Sequence, residues 1–258
     1  MGMELGIDFG GSFTDCVVLD QKKVVFSHSI RSNEFDFGIL NKQLAEKGFS
    51  SEKAFVTGRK KELDELGAQY VDEISAIGRG ASSLCRLEDC VVASVGTGTA
   101  LVAVSGNDYY HLGGTGVGGG TLEGLSNLLL KSTVVPVHQL ALHSAESLDL
   151  LVADVLGADV GVLSQDATAS NFGGFSKPFS PASVGYSIFS MVGETVGVCA
   201  SLACQKENVN TAVFVGRCVN FELIRKRISV ACKIFSVQPV FPKTPELATA
   251  IGAALEGD

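Results

Sequence analysis

The stretch that decides the fold is Glu4-Leu5-Gly6-Ile7-Asp8-Phe9-Gly10-Gly11-Ser12-Phe13-Thr14-Asp15-Cys16-Val17-Val18-Leu19. An apolar run ending in Asp8 meets a glycine pair and then a second apolar run, which reads as strand, tight turn, strand. Residues 23–28 add a third short strand and complete a meander. Residues 36–48 carry Phe37, Leu40 and Leu44 on one helical face, with Gly48 as the stop. A buried strand at 54–57 and a helix at 74–87, with Ile77, Leu84 and Leu87 inward, bring one mixed α/β lobe to its end near Val92.

The pattern then starts again. Residues 91–95 and 100–104 are β-branched runs flanking Gly96-Thr97-Gly98-Thr99, and residues 109–112 return after the turn Gly106-Asn107-Asp108. Helical stripes are expected at 121–130, 145–156 and 181–206, then a strand at 211–216, a helix at 221–231, a strand at 234–241 and a helix at 246–255. A meander followed by alternating helices and strands, occurring twice, predicts two related lobes, residues 1–92 and 93–258, with a cleft between them. Ligands of open α/β sheets sit at the carboxyl ends of strands, where these glycine turns fall.

Composition narrows the function. The 258 residues are 46% hydrophobic and 19% charged, which excludes a disordered chain. A net charge of −8 argues against nucleic acid, whose binding needs a cationic footprint, but leaves room for phosphate held by backbone N–H groups. No uninterrupted apolar run reaches the roughly 18–20 residues of a bilayer span, and Glu4 and Asp8 stand where a secretory signal needs basic residues. Seven cysteines without a C-x-x-C pair read as free thiols of a cytoplasmic protein, and the 85/90 and 199/204 spacings match no ferredoxin pattern. His28, His111, His138 and His143 show no metalloprotease spacing, and neither a Walker A pattern nor a G-x-S-x-G elbow is present.

Four segments carry candidate chemistry. Asp8-Phe9-Gly10-Gly11-Ser12 suits a terminal phosphate through backbone N–H groups and the Ser12 hydroxyl, with Asp8 holding Mg²⁺, although such a turn also fits an ordinary hairpin. Val95-Gly96-Thr97-Gly98-Thr99 repeats that chemistry at the start of the second lobe. Gly113-Gly114-Thr115-Gly116-Val117-Gly118-Gly119-Gly120-Thr121 places six glycines ahead of a helix expected to begin at Thr121. Their entropic cost points to a ligand approaching the main chain, or to a moving segment. Glu73, at a strand-to-helix junction, is placed to take a proton from a hydroxyl; alternatively Asp72, Glu73 and Ser75 simply cap the helix and complement its dipole.

In this order the motifs resemble the acetate and sugar kinase, Hsp70 and actin superfamily, and within it the type II pantothenate kinases. The resemblance runs through Gly6 to Ser12, Glu73 to Gly80, Val95 to Thr99 and His111 to Leu125, within which the block from Gly113 to Leu125 is the most specific. It continues through Asp149, Gln165 to Gly173, Met191-Val192-Gly193-Glu194, Phe214-Val215-Gly216 and Thr249 to Ala253. It implies two ribonuclease H-like, actin-like ATPase lobes, ATP and Mg²⁺ as cofactors, transfer of the γ-phosphoryl group to the primary hydroxyl of pantothenate at the first step towards coenzyme A, and a homodimer in which the apolar helix from Pro181 offers a self-association surface. Under it Glu73 is the general base and Asp8 the metal ligand. Asp8, Gly10, Gly11, Ser12, Phe13, Thr14, Asp15, Thr97, Gly98, Gly119, Gly120, Thr121, Leu122, Glu123 and Arg217 match ATP-binding segments, and Arg79, His111, Gly113 and Thr115 match the substrate side.

Three residues depart from that family's pattern. Asp15 stands where a lysine is usual, His111 where an arginine is, and Arg217 where a small hydroxyl residue is, so that a guanidinium can stand in for the missing lysine. Two alternatives keep the fold. One is an ATP-hydrolysing activator or hydantoinase-like relative, because residues 10–15 look like the opening of hydantoinase-type proteins. The other is a degenerate, non-catalytic metabolite-binding member, which the Asp15 and His111 departures favour.

Overall fold

Two five-stranded sheets repeat one topology. The computed structural model describes residues 3–49, 53–59, 67–144, 146–158, 165, 167–174 and 179–257. The first sheet comprises β1 (Glu4–Phe9), β2 (Phe13–Asp20), β3 (Lys23–Arg31), β4 (Lys53–Gly58) and β5 (Gln69–Tyr70), in the order β3-β2-β1-β4-β5. The second comprises β6 (Asp89–Val95), β7 (Thr99–Ser105), β8 (Asp108–Thr115), β11 (Thr211–Val215) and β12 (Gln238–Val240), in the order β12-β11-β6-β7-β8. In each, three antiparallel meander strands are extended by two parallel ones. A division between residues 92 and 93 runs through β6, whose first residue is Asp89.

The helices pack on both faces, which is why the central strands are apolar throughout rather than alternating. On the first sheet, Leu5, Ile7, Phe9 and Cys16 meet Leu40 and Leu44 of α1 (Phe37–Glu46), which Asp36 caps by accepting from the Ile39 amide. The opposite face, through Val17 and Leu19, meets Ala250, Ile251 and Ala254 of α8 (Ala248–Ala254), the chain's last α-helix returning to its first sheet. On the second sheet, Val92, Val102, Val213 and Val215 cover Ile77 and Ala81 of α2 (Glu73–Cys85). Val91, Ala93, Val95 and Phe214 face α6 (Pro181–Glu207) and α7 (Glu222–Ile234). Helices α2 and α8 therefore lie between the sheets. They touch through Ala76, Gly80, Ala248 and Gly252, where backbone meets backbone.

Several expectations need correction. Residues 145–156 are not one helix: Leu150–Leu151 form β9, paired with β10 (Thr168–Ser170), and only Val152–Leu156 are helical, as α5. Asp149, just ahead of β9, is buried and accepts a hydrogen bond from the Phe172 amide, which ties this segment to the chain after β10. Ile234 still belongs to α7, so the strand expected at 234–241 is confined to β12. An unforeseen α4 (Val134–Ala141) follows α3 (Gly119–Leu130), which starts two residues before Thr121.

The 27-residue α6, with Ser180 as N-cap and Pro181 at its first turn, is long and apolar enough to cross a membrane, contrary to the expectation from uninterrupted runs. Most of that apolar stretch is buried inside this chain, against α3, α4, α7 and β6. It therefore offers little surface for self-association. Large apolar side chains are exposed instead on α3 and α4, at Leu128, Leu129 and Val135.

Candidate active site

The first two glycine turns face each other. Ser12 follows β1 and Thr97 follows β6, at equivalent places in the two sheets, and their hydroxyl oxygens lie 3.5 Å apart. Gly10, Gly11, Ser12, Thr97 and Gly98 therefore gather at one opening, with Gly11, Ser12 and Thr97 exposed. Ser32 braces the first turn from behind, its hydroxyl donating to the Gly10 carbonyl at 2.8 Å while its amide bonds the Ser12 carbonyl.

The third glycine segment converges on the same place, but its contact is with the second turn. The Gly119 and Gly120 amides donate to the carbonyls of Gly96 and Thr97 at 2.8 and 2.9 Å. Two of the helix's otherwise unpaired first-turn donors are thereby engaged within the protein. A Cβ on Gly118 would stand 2.7 Å from the Gly98 carbonyl oxygen, so the glycine density is explained in part by main chain packing on main chain. Thr121 Oγ1 accepts from the Gly118 amide. Leu122 is wholly buried in the core with its amide bonded to the Gly118 carbonyl, whereas Glu123 is exposed.

Asp8, beside the first turn, has its carboxyl pushed up to about 8, by burial first and then by the charges of Asp15 and Glu73, with Arg217 acting in the opposite sense. Asp72 is the N-cap, accepting from the Ser75 amide at 3.0 Å, so Glu73 is an exposed first-turn residue and not the cap itself. A hydroxyl beside Asp8, Thr57 Oγ1 of the adjoining β4, is buried without a hydrogen-bond partner among the described residues.

Asp15 and Arg217 come from opposite sheets and meet. Arg217 Nη2 donates to Asp15 Oδ1 at 2.6 Å, Ser29 donates to the same oxygen, and the guanidinium lies 4.0 Å from the centre of the Phe13 ring. Burial raises the Asp15 pKa, while Ser29 and Arg217 lower it. Thr14 is buried, its hydroxyl 3.2 Å from that of Ser32.

The substrate-side candidates are more scattered. His111 is exposed on β8, opposite Val102. Gly113 has φ +131 and open space around it, and Thr115 accepts from the Val117 amide. Arg79 is turned towards the α2–α8 crossing, 3.0 Å from the Gly252 carbonyl, 2.6 Å from Glu256 and against the Tyr109 ring. No spacing rule pairs Asp15 with Arg217, which are 202 residues apart, and the sequence reading missed their contact.

Comparison with known proteins identifies the family and the fold. The family model described as Fumble matches residues 87–256. A protein named type II pantothenate kinase, from Bacillus thuringiensis subsp. konkukian, is 30% identical over 277 residues, covering 99% of this chain and 98% of the relative. Among solved structures, the activator of 2-hydroxyisocaproyl-CoA dehydratase from Clostridium difficile, with bound ADPNP, has a TM-score of 0.72 at 18% identity, covering 98% of this chain and 93% of that one. A ROK family glucokinase from Streptomyces griseus, in complex with glucose and AMPPNP, has a TM-score of 0.63 at 12% identity, covering 99% of each chain. Those two likenesses establish the actin-like, sugar-kinase fold, and the end-to-end relationship in sequence makes this chain a member of the type II pantothenate kinase family.

Proposed function

We propose that the opening between the two sheets binds MgATP and transfers its γ-phosphoryl group to the primary hydroxyl of pantothenate. The observation that carries the reading is the meeting of Ser12 and Thr97, the hydroxyls of the two equivalent glycine turns, 3.5 Å apart. Phosphoryl transfer depends on positioning and charge stabilisation more than on covalent chemistry by the protein. Two turns of backbone N–H groups and hydroxyls fix the phosphates, and Glu73 takes the proton of the attacking hydroxyl. Because Asp72 caps α2, the Glu73 carboxylate is left for that task.

Asp8 fits a magnesium ligand. At its carboxyl, burial and the charges of Asp15 and Glu73 outweigh that of Arg217, and the Thr57 hydroxyl, buried without a partner among the described residues, lies beside it. No group of three or more His, Cys, Asp or Glu side chains is gathered among the described residues. Magnesium needs none, since it is commonly held by one or two carboxylates together with waters and substrate phosphates. When bound, the ion neutralises charge developing on the phosphates.

The α2–α8 crossing is the natural axis for closure of the lobes over the substrates, which keeps water from the phosphoryl group. His111 and the open backbone at Gly113 face the acceptor in this reading, while Arg79 supports α2 from behind. We place the enzyme in the cytoplasm as a homodimer, formed through the exposed apolar side chains of α3 and α4. ADP release with MgATP tests the function against pantothenate, pantetheine and simple sugars. Release that depends on pantothenate supports it, and nucleotide binding without release under any acceptor contradicts it.

A further inference from the structure

Asp15 presents an electrostatic problem. A carboxylate three residues beyond Ser12 should repel the phosphates that the first turn is built to receive. Its surroundings resolve this. Asp15 is 6% exposed on β2, and its Oδ1 accepts from both Ser29 and Arg217. Arg217 arrives from the other sheet. At the end of β11 the chain turns through Gly216, at φ +91 with its amide bonded to the Pro245 carbonyl. Cys218 then anchors the next residue beside the second turn, its thiol 3.6 Å from the Gly96 carbonyl oxygen. The Arg217 side chain reaches from there to the ring of Phe13, the residue after Ser12, with its guanidinium carbon 4.0 Å from the ring centre.

A guanidinium has five N–H donors, and a single hydrogen bond of Arg217, to Asp15, is found among the described residues. Its side chain remains 34% exposed. The contact with Phe13 and the bond to Asp15 hold the guanidinium, and its partial exposure leaves further donors accessible. Arginine suits such a task because its planar fork stacks and bridges at once, which an ammonium cannot do.

We propose that Asp15 is a positioning residue: it holds the Arg217 guanidinium of the opposite lobe over the first glycine turn, and that cation meets the terminal phosphates of the nucleotide. The pair is thus a strap between the lobes as well as the positive element of the phosphate site. The inference rests on the reading that this opening takes MgATP.

The test measures binding of Mg-AMPPNP and Mg-ADP by titration calorimetry to the full chain and to D15N, R217A, R217K and D15N/R217A. Simple charge repulsion predicts that D15N, which removes an anion, tightens triphosphate binding. The strap predicts the opposite sign: D15N weakens Mg-AMPPNP about tenfold, as expected for losing a charge-assisted hydrogen bond, and R217A weakens it at least as much. Mg-ADP is affected less, and R217K recovers part of the loss. With Arg217 absent, Asp15 has nothing to aim and is a bare anion, so D15N reverses sign in the R217A background: it weakens binding when Arg217 is present and strengthens it in part when Arg217 is absent, an outcome that a purely structural role does not produce. Tighter binding by D15N alone, or unchanged binding by R217A, overturns the proposal. R217A decides the matter if D15N does not fold. Failure of the unsubstituted chain to bind either nucleotide overturns the ATP reading itself, whereas binding with the wrong signs overturns only the strap.

Discussion

Ser12 and Thr97, 85 residues apart in the chain, place their hydroxyl oxygens 3.5 Å from one another across the junction of two sheets of identical topology. Both are exposed, so neither contributes much to the fold. S12A and T97A are each expected to leave Tm nearly unchanged and to weaken MgATP binding roughly fivefold, the loss of one hydrogen bond. The double variant should lose less than the product of the two, because the pair serves one group. Unaltered nucleotide affinity in both single variants would separate these turns from the phosphates.

The Asp8 carboxyl imposes a pH dependence. Its pKa rises from 3.8 to about 8, chiefly through burial. A raised carboxyl pKa contributes stability that is full below the unfolded value of 3.8 and is lost as pH climbs towards 8. The ligand-free protein should therefore lose Tm steadily from mildly acidic pH towards pH 8, at about 2–4 °C for each kcal/mol. D8N removes this slope and abolishes magnesium-dependent turnover. A thermal scan in which D8N and the unsubstituted chain run parallel across that range contradicts the assignment.

The packing of α2 on α8 leaves no room at Gly80, where a Cβ would collide with the Ala248 carbonyl oxygen. G80A should destabilise the protein by about 1–3 kcal/mol, the range of overpacked cores, and separate the lobes at their crossing. Denaturant unfolding reads this directly. A substitution at an exposed glycine with open space around it, such as G124A, serves as the control and is expected to be neutral or slightly stabilising.

Gly118 has a different role. A Cβ there would press on the carbonyl of Gly98, within the second turn, rather than on the core. G118A is therefore expected to reduce nucleotide affinity several-fold with a smaller effect on stability than G80A. Equal losses of stability in the two variants would show that the third glycine segment is only structural.

The repeated meander was legible because the Asp8 to Ser12 and Val95 to Thr99 turns interrupt strongly apolar strands at matching places. The helix at 145–156 was misread because Leu148, Leu151, Val152 and Val155 suit a helical stripe, and nothing local reveals that Asp149 bonds the distant Phe172 amide. Helix α4 was overlooked for its β-branched start and Pro136, although proline is tolerated within the first turn. The sequence leaves Glu73 open between base and helix-dipole partner; Asp72 takes the cap, and Glu73 lies in the first turn of α2, where it also complements the dipole. The Asp15–Arg217 contact is set by the docking of two sheets, a long-range fact that local pattern cannot carry.

The central claim places an unencumbered carboxylate beside a nucleotide held by two opposed turns, and E73Q tests it most directly. That variant keeps the size and the helix start, since Asp72 still caps α2. Formation of phosphorylated pantothenate, followed by mass spectrometry alongside Mg-AMPPNP binding, should fall by about 100-fold or more with affinity for the nucleotide retained. Product formation by E73Q at the rate of the unsubstituted chain would contradict the claim.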